Sequence, residues 1–103
     1  DDQRFGESVI VSSLPELPLR TWAPRHLDDL SAELLAELAT SGAELVILGT
    51  GQRLRFPPPA WLAPFAHHRV GLESMDTAAA CRTYNILASE GRKVLAALIL
   101  DPC

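Results

Sequence analysis

The chain has 103 residues, 48% of them hydrophobic and 21% charged, with a formal net charge of -4 at pH 7. That balance suits one globular domain able to bury its own core and excludes a disordered acidic tail. A net acidic chain without a basic stripe argues against nucleic acid and against an anionic membrane surface as partners. The two cysteines, Cys81 and Cys103, make neither a disulfide framework nor a paired zinc motif, so a reducing, cytoplasmic setting is expected. The longest apolar runs, Leu45 to Leu48 and Val94 to Leu100, fall far short of the roughly 20 residues that cross a bilayer, so no direct membrane insertion is expected. The chain opens Asp1-Asp2-Gln3-Arg4 with no leader pattern, and its natural start is expected upstream.

In chain order, the β-branched run Ser8 to Ser12 predicts a strand, ended by Pro15 and Pro18. Leu19 to Pro24, with Trp22 at its centre, predicts a short strand that Pro24 confines to an edge or an end. Leu27, Leu30, Leu34, Leu35 and Leu38 recur at helical spacing. They predict an amphipathic helix with Asp28, Asp29 or Ser31 as its N-cap and Gly42 as its stop. Glu44 to Leu48 follows as a continuous apolar strand of the kind buried on both faces. Pro57-Pro58-Pro59 is extended, and Pro59 can open a short helix to about His67, interrupted by Pro64, with Trp61, Leu62 and Phe65 turned inward. Val70 to Glu73 predicts a strand, Asp76 or Thr77 caps a helix running to Glu90 and stopped by Gly91, and Lys93 to Leu100 supplies a last strand. This alternation predicts an α/β single domain over residues 1–103, with a central mixed β-sheet flanked by helices.

Val46 to Gly51 with Arg53, then Asp76-Thr77, Ala80-Cys81, Thr83, Asn85, Leu87, Glu90-Gly91-Arg92, Val94 and Ala97-Leu98-Ile99, resemble one family. It is the family of small α/β proteins of unknown function that includes the mitochondrial respiratory complex I assembly factor 3. The resemblance covers about the last 60% of the chain well, and Ser8 to Val11 with Trp22 more loosely. It implies a three-layer architecture around the mixed sheet, a first strand lying upstream of Asp1, and no established enzymatic activity in bacterial and archaeal members. It also implies a protein partner, as the eukaryotic relative assists a membrane respiratory complex by protein contact.

Among the residues, Gly49-Thr50-Gly51 stands at a strand exit but lacks the Lys-Ser/Thr of a P-loop and the third glycine of a dinucleotide fingerprint, so its glycines read first as a tight turn. On the helix from Thr77, the residues Thr77, Ala80, Tyr84, Leu87 and Ala88 share a stripe suited to packing. Arg82, Asn85 and Ser89 share another that can line a surface cleft. Cys81, with His67 and His68 upstream, allows a Cys/His nucleophile in principle, but a small thiol among alanines reads more simply as a packing residue. His26, His67, His68 and Cys103 have no metal-ligand spacing. Asp76 reads as an N-cap, and Glu90 as a partner for Arg92 or Arg82. The expected interaction or ligand site is therefore Gly49, Thr50, Gly51, Arg53, Asp76, Thr77, Arg82 and Asn85, with no catalytic residue, metal or cofactor. The expected function is a non-enzymatic accessory or assembly protein, monomeric or homodimeric, with a protein partner such as membrane-complex subunits. The alternative is a small-molecule-binding protein or minor enzyme using a cleft between the Gly49–Gly51 loop and the Thr77–Glu90 helix.

Overall fold

Side chains alternate across β5 (Val94–Leu98): Leu95 and Ala97 join one buried cluster, Val94, Ala96 and Leu98 the other. A strand apolar on both faces needs cover on both sides, and that requirement organises the domain. The computed structural model describes residues 8–14, 19–22, 24 and 29–99. Its elements are β1 (Ser8–Ser12), β2 (Arg20–Trp22), α1 (Ala32–Ala39), β3 (Leu45–Gly49), a 3-10 turn (Pro59–Leu62), α2 (Ala63–His67), β4 (Gly71–Met75), α3 (Thr77–Ser89) and β5. They form one five-stranded sheet in the order β2-β1-β5-β3-β4. β1 runs antiparallel to β2 and β5, whereas β3 is parallel to β4 and β5. The sheet is mixed and flanked by helices, as the sequence implies.

On one face, Leu35 and Leu38 of α1 and Phe65 of α2 bury Ile10, Val46, Leu48, Leu95 and Ala97, with Trp22, Leu14 and Leu30 in the same cluster. On the other, α3 lays Ala80 against Val9, Ile47, Ala96 and Leu98, with Cys81, Tyr84, Leu87 and Ala88 packed at its margin. The pairing register places Val9 opposite Leu98 and Ile47 opposite Ala96, so each face stays continuous across strands. The domain therefore has three layers.

Several boundaries differ from the sequence reading. α1 starts only at Ala32, because Ser31 is its N-cap, accepting from the Leu34 amide. Leu30 precedes the helix yet is buried in the core, and Leu27 and Asp28 lie outside the described residues. β3 begins at Leu45, one residue late; the Glu44 amide instead donates to the Lys93 carbonyl. Pro64 does not interrupt a helix: it sits in the first turn of α2, where its missing N–H costs nothing, and a 3-10 turn precedes it. The hydrogen-bonded partner of Arg92 is Glu44, to whose Oε1 its Nε donates across 2.5 Å at the opposite end of the sheet from the strand exits, and Glu90 acts on Arg92 only through its charge. Arg92 accordingly holds the Glu44 carboxyl below its ordinary value. Asp76 caps α3 and Gly91, with φ of 80°, follows its C-cap Glu90. The last strand spans Val94–Leu98 rather than Lys93 to Leu100; the connection through 15–18 and Leu100 itself fall outside the described residues.

Candidate functional site

Three parallel strands, β3, β4 and β5, end together at Gly49, Met75 and Leu98. The carboxyl ends of parallel strands are where open α/β sheets usually place a ligand. The local chemistry there is set by two threonines. Thr50, buried just past β3, donates its amide to the Met75 carbonyl over 2.8 Å. Its hydroxyl lies 2.6 Å from the Arg53 carbonyl and 3.2 Å from that of Met75, and accepts from the Arg55 amide over 3.1 Å. One side chain thus closes the loop 50–55 on itself and ties it to β4.

Thr77 does the same for α3. Its hydroxyl accepts from the Gly51 amide over 2.8 Å and donates to the Ile99 carbonyl over 2.7 Å, joining the loop, the helix start and the end of β5. Its amide donates back to the Gly51 carbonyl. Asp76 Oδ1 accepts from the Ala79 amide over 2.9 Å, so the first turn of α3 is capped from within. Gly51 turns the chain with φ of 99°, as the tight-exit reading expects. Gly49 has another role. A Cβ placed there would stand 3.0 Å from Thr77 Oγ1, 3.1 Å from Leu98 Cδ2 and 3.2 Å from Ala80 Cβ, so the absence of a side chain lets α3 approach the strand.

The structure therefore brings together Gly49, Thr50, Gly51, Asp76 and Thr77, and links Arg53 to them through its carbonyl. The polar atoms of this cluster are directed at one another. Arg82 and Asn85 sit apart: Asn85 is eight residues beyond Thr77, about 12 Å along the helix axis at 1.5 Å per residue. Both are exposed, on one face of α3 at i, i+3 spacing. The reading of α3 by its period holds for Ala80, Tyr84, Leu87 and Ala88, and Cys81 joins them on the packed side. Sequence reasoning passed over three exposed apolar residues: Leu54 at 53%, Phe56 at 70% and Ile86 at 58% exposure. The signal for the first two was available in the alternation Arg53-Leu54-Arg55-Phe56 before a proline run.

Burial pushes the Cys81 thiol above its ordinary range, with the charge of Arg82 opposing the shift. A raised pKa lowers the thiolate fraction, opposite to what a nucleophile needs. In a Cys103→Ser background, native Cys81 should react with a thiol reagent at least about tenfold more slowly than in the urea-unfolded chain. Equal rates would return Cys81 to the list of reactive groups. His67 and His68 meet edge to face with ring centres 5.0 Å apart. Among the described residues no cluster of His, Cys, Asp or Glu could hold a metal ion, and no helix is long and apolar enough to cross a membrane. His26 and Cys103 lie outside those residues.

The model of a family described as a protein of unknown function (DUF498/DUF598) matches residues 1–99. A Xenopus tropicalis protein named NADH dehydrogenase [ubiquinone] 1 alpha subcomplex assembly factor 3 is 35% identical over 98 residues, 91% of this chain and 53% of that protein. Its Bos taurus counterpart is 41% identical over 59 residues, 57% of this chain and 32% of that protein. The chain thus spans about half the length, or less, of these curated relatives. Among solved structures, a Bordetella parapertussis protein superposes with a TM-score of 0.84 at 39% identity, covering 95% of this chain and 82% of that one.

Proposed function

Because the chain belongs to the DUF498/DUF598 family of proteins of unknown function, we propose that it is a non-enzymatic accessory protein that assists assembly of a larger complex by protein contact. Its client class is a respiratory or other membrane complex. The observation that carries this reading is the likeness, over 91% of the chain, to a protein named as an assembly factor of NADH dehydrogenase. The site chemistry supports it from another side. Hydroxyls and amides at the strand ends, where a small ligand would be held, already bond one another. What the region offers outward is Arg53 on the loop and Arg82, Asn85 and Ile86 on α3, exposed side chains suited to a partner's surface. Gly49, Thr50, Gly51, Asp76 and Thr77 then act as the scaffold that fixes this surface.

The test is affinity capture of the full-length protein from its native cells, membranes included, compared with an Arg82→Ala, Asn85→Ala variant. Both side chains are exposed, so the variant should unfold within about 0.5 kcal/mol of wild type. A defined set of co-purifying subunits lost in the folded variant is the expected result. Identical capture by the two proteins would remove α3 from the contact surface, and no stable partner for either would overturn the assembly reading.

A further inference from the structure

The net charge of -4 averages over two unlike parts of the chain. Residues 45–72 hold Arg53, Arg55 and Arg69 and no acidic residue, a formal +3. The remaining residues, with 13 acids against 6 bases, stand at -7. The acid-free stretch is β3 together with the crossover from β3 to β4, which includes the 3-10 turn and α2. Every residue from Gln52 to Phe56 is exposed, and Leu54 and Phe56 are among the most exposed large apolar side chains of the described residues. Trp61 and Leu62 follow, half-buried in the 3-10 turn.

Leu54 and Phe56 are held in that position. The buried Thr50 hydroxyl fastens the loop backbone at Arg53 and Arg55, and the Trp61 amide donates to the Pro58 carbonyl. A loop closed in this way presents its apolar side chains to whatever lies outside. We propose that this crossover is a docking surface for an anionic lipid membrane. Leu54 and Phe56 enter the boundary between headgroups and acyl chains, and Arg53 lies at the level of the phosphates.

Two features favour a lipid surface over other anionic partners. Cation and large apolar side chain alternate at consecutive positions, and a bilayer supplies phosphate and hydrocarbon at adjoining depths over its whole extent, so both find partners without registration. Nucleic acid offers Leu54 no hydrocarbon, and an acidic protein would need carboxylates and apolar pockets at matching intervals. The surface is bordered by acid: Glu33 and Glu37 on α1, which packs against α2 and the 3-10 turn, and Glu73 on β4. These charges repel an anionic surface on the flanks of the crossover. The inference goes beyond the assembly reading and stands without it.

The experiment is co-sedimentation of the full chain with vesicles of phosphatidylcholine, alone or containing phosphatidylglycerol, at low ionic strength. Wild type should sediment with the anionic vesicles and stay in solution with the neutral ones. Arg53→Glu, which changes two charges at roughly one kcal/mol each, should weaken partitioning about 30-fold. Leu54→Ser with Phe56→Ser should weaken it about tenfold or more. All three side chains are exposed, so thermal unfolding should match wild type and report that the variants are folded. If wild type ignores anionic vesicles, the proposal fails and the surface passes to an acidic protein partner. If the Leu54, Phe56 variant binds as well as wild type, it fails also, because attraction would then be general electrostatics.

Discussion

Thr77→Val is expected to destabilise the protein by about 2–6 kcal/mol, since the Gly51 amide and the Ile99 carbonyl would each lose a partner at about 1–3 kcal/mol. Valine keeps the shape and the β-branch, so the loss isolates the hydroxyl. Gly51 and Ile99 are both buried, so water cannot readily replace the missing bonds. Thr77→Ser restores the oxygen and should return most of the stability. Urea unfolding with the m-value held constant measures both. A loss for Thr77→Val below about 0.5 kcal/mol would mean that these bonds are dispensable. Thr77 would then be free to serve a ligand, which is the cleft reading that its internal bonding now opposes.

Gly49→Val carries the other large expected effect, about 3 kcal/mol, with Gly49→Ala at about 1–3 kcal/mol, from overpacking a filled contact. On propensity alone valine should improve a strand. Here the new side chain meets Thr77 Oγ1, Leu98 and Ala80 at 3.0 to 3.2 Å, two of them on the helix that must lie close. α3 would have to move away from the sheet, opening the junction that Thr77 closes. The two substitutions share these neighbours, so the double variant should lose less than the sum of the singles. Full additivity in denaturant unfolding would show that the helix approach and the hydroxyl bonds are independent.

Both predictions concern residues that the sequence singles out as a site, and both assign them to structure. An invariably useful distinction at a strand exit is whether polar atoms point at space or at one another, and residue type does not carry it. Thr50 and Thr77 look alike in the sequence as polar residues beside glycines. Only the packing of α3 against the sheet brings the Thr77 oxygen to Ile99, 22 positions away, and only the parallel pairing of β3 with β4 brings that of Thr50 to Met75, 25 positions away. Arg82 and Asn85, by contrast, were placed on an outward face by helical period alone, and they are exposed.

Features that local physics dictates are legible along the chain. Runs of apolar residues mark β1, β3 and β5, Pro24 confines β2 to an edge or an end, and Asp76 or Thr77 with Gly91 brackets α3. The period of α3 separated its packed residues from its exposed ones, since a helix must bury one stripe. Other features depend on residues distant in the chain and emerge only when the elements pack. Strand order, with β5 inserted between β1 and β3, follows from which apolar faces can be covered together. The N-cap of α1, Ser31, is one of three local options. The pairing of Arg92 with Glu44 rather than Glu90 arose because the strand starts of β3 and β5 lie side by side in the sheet. The segregation of charge was written in the sequence, but its meaning was not. Only the fold sets the acid-free crossover outside the sheet and holds Leu54 and Phe56 in solvent, because Thr50 closes the loop beneath them.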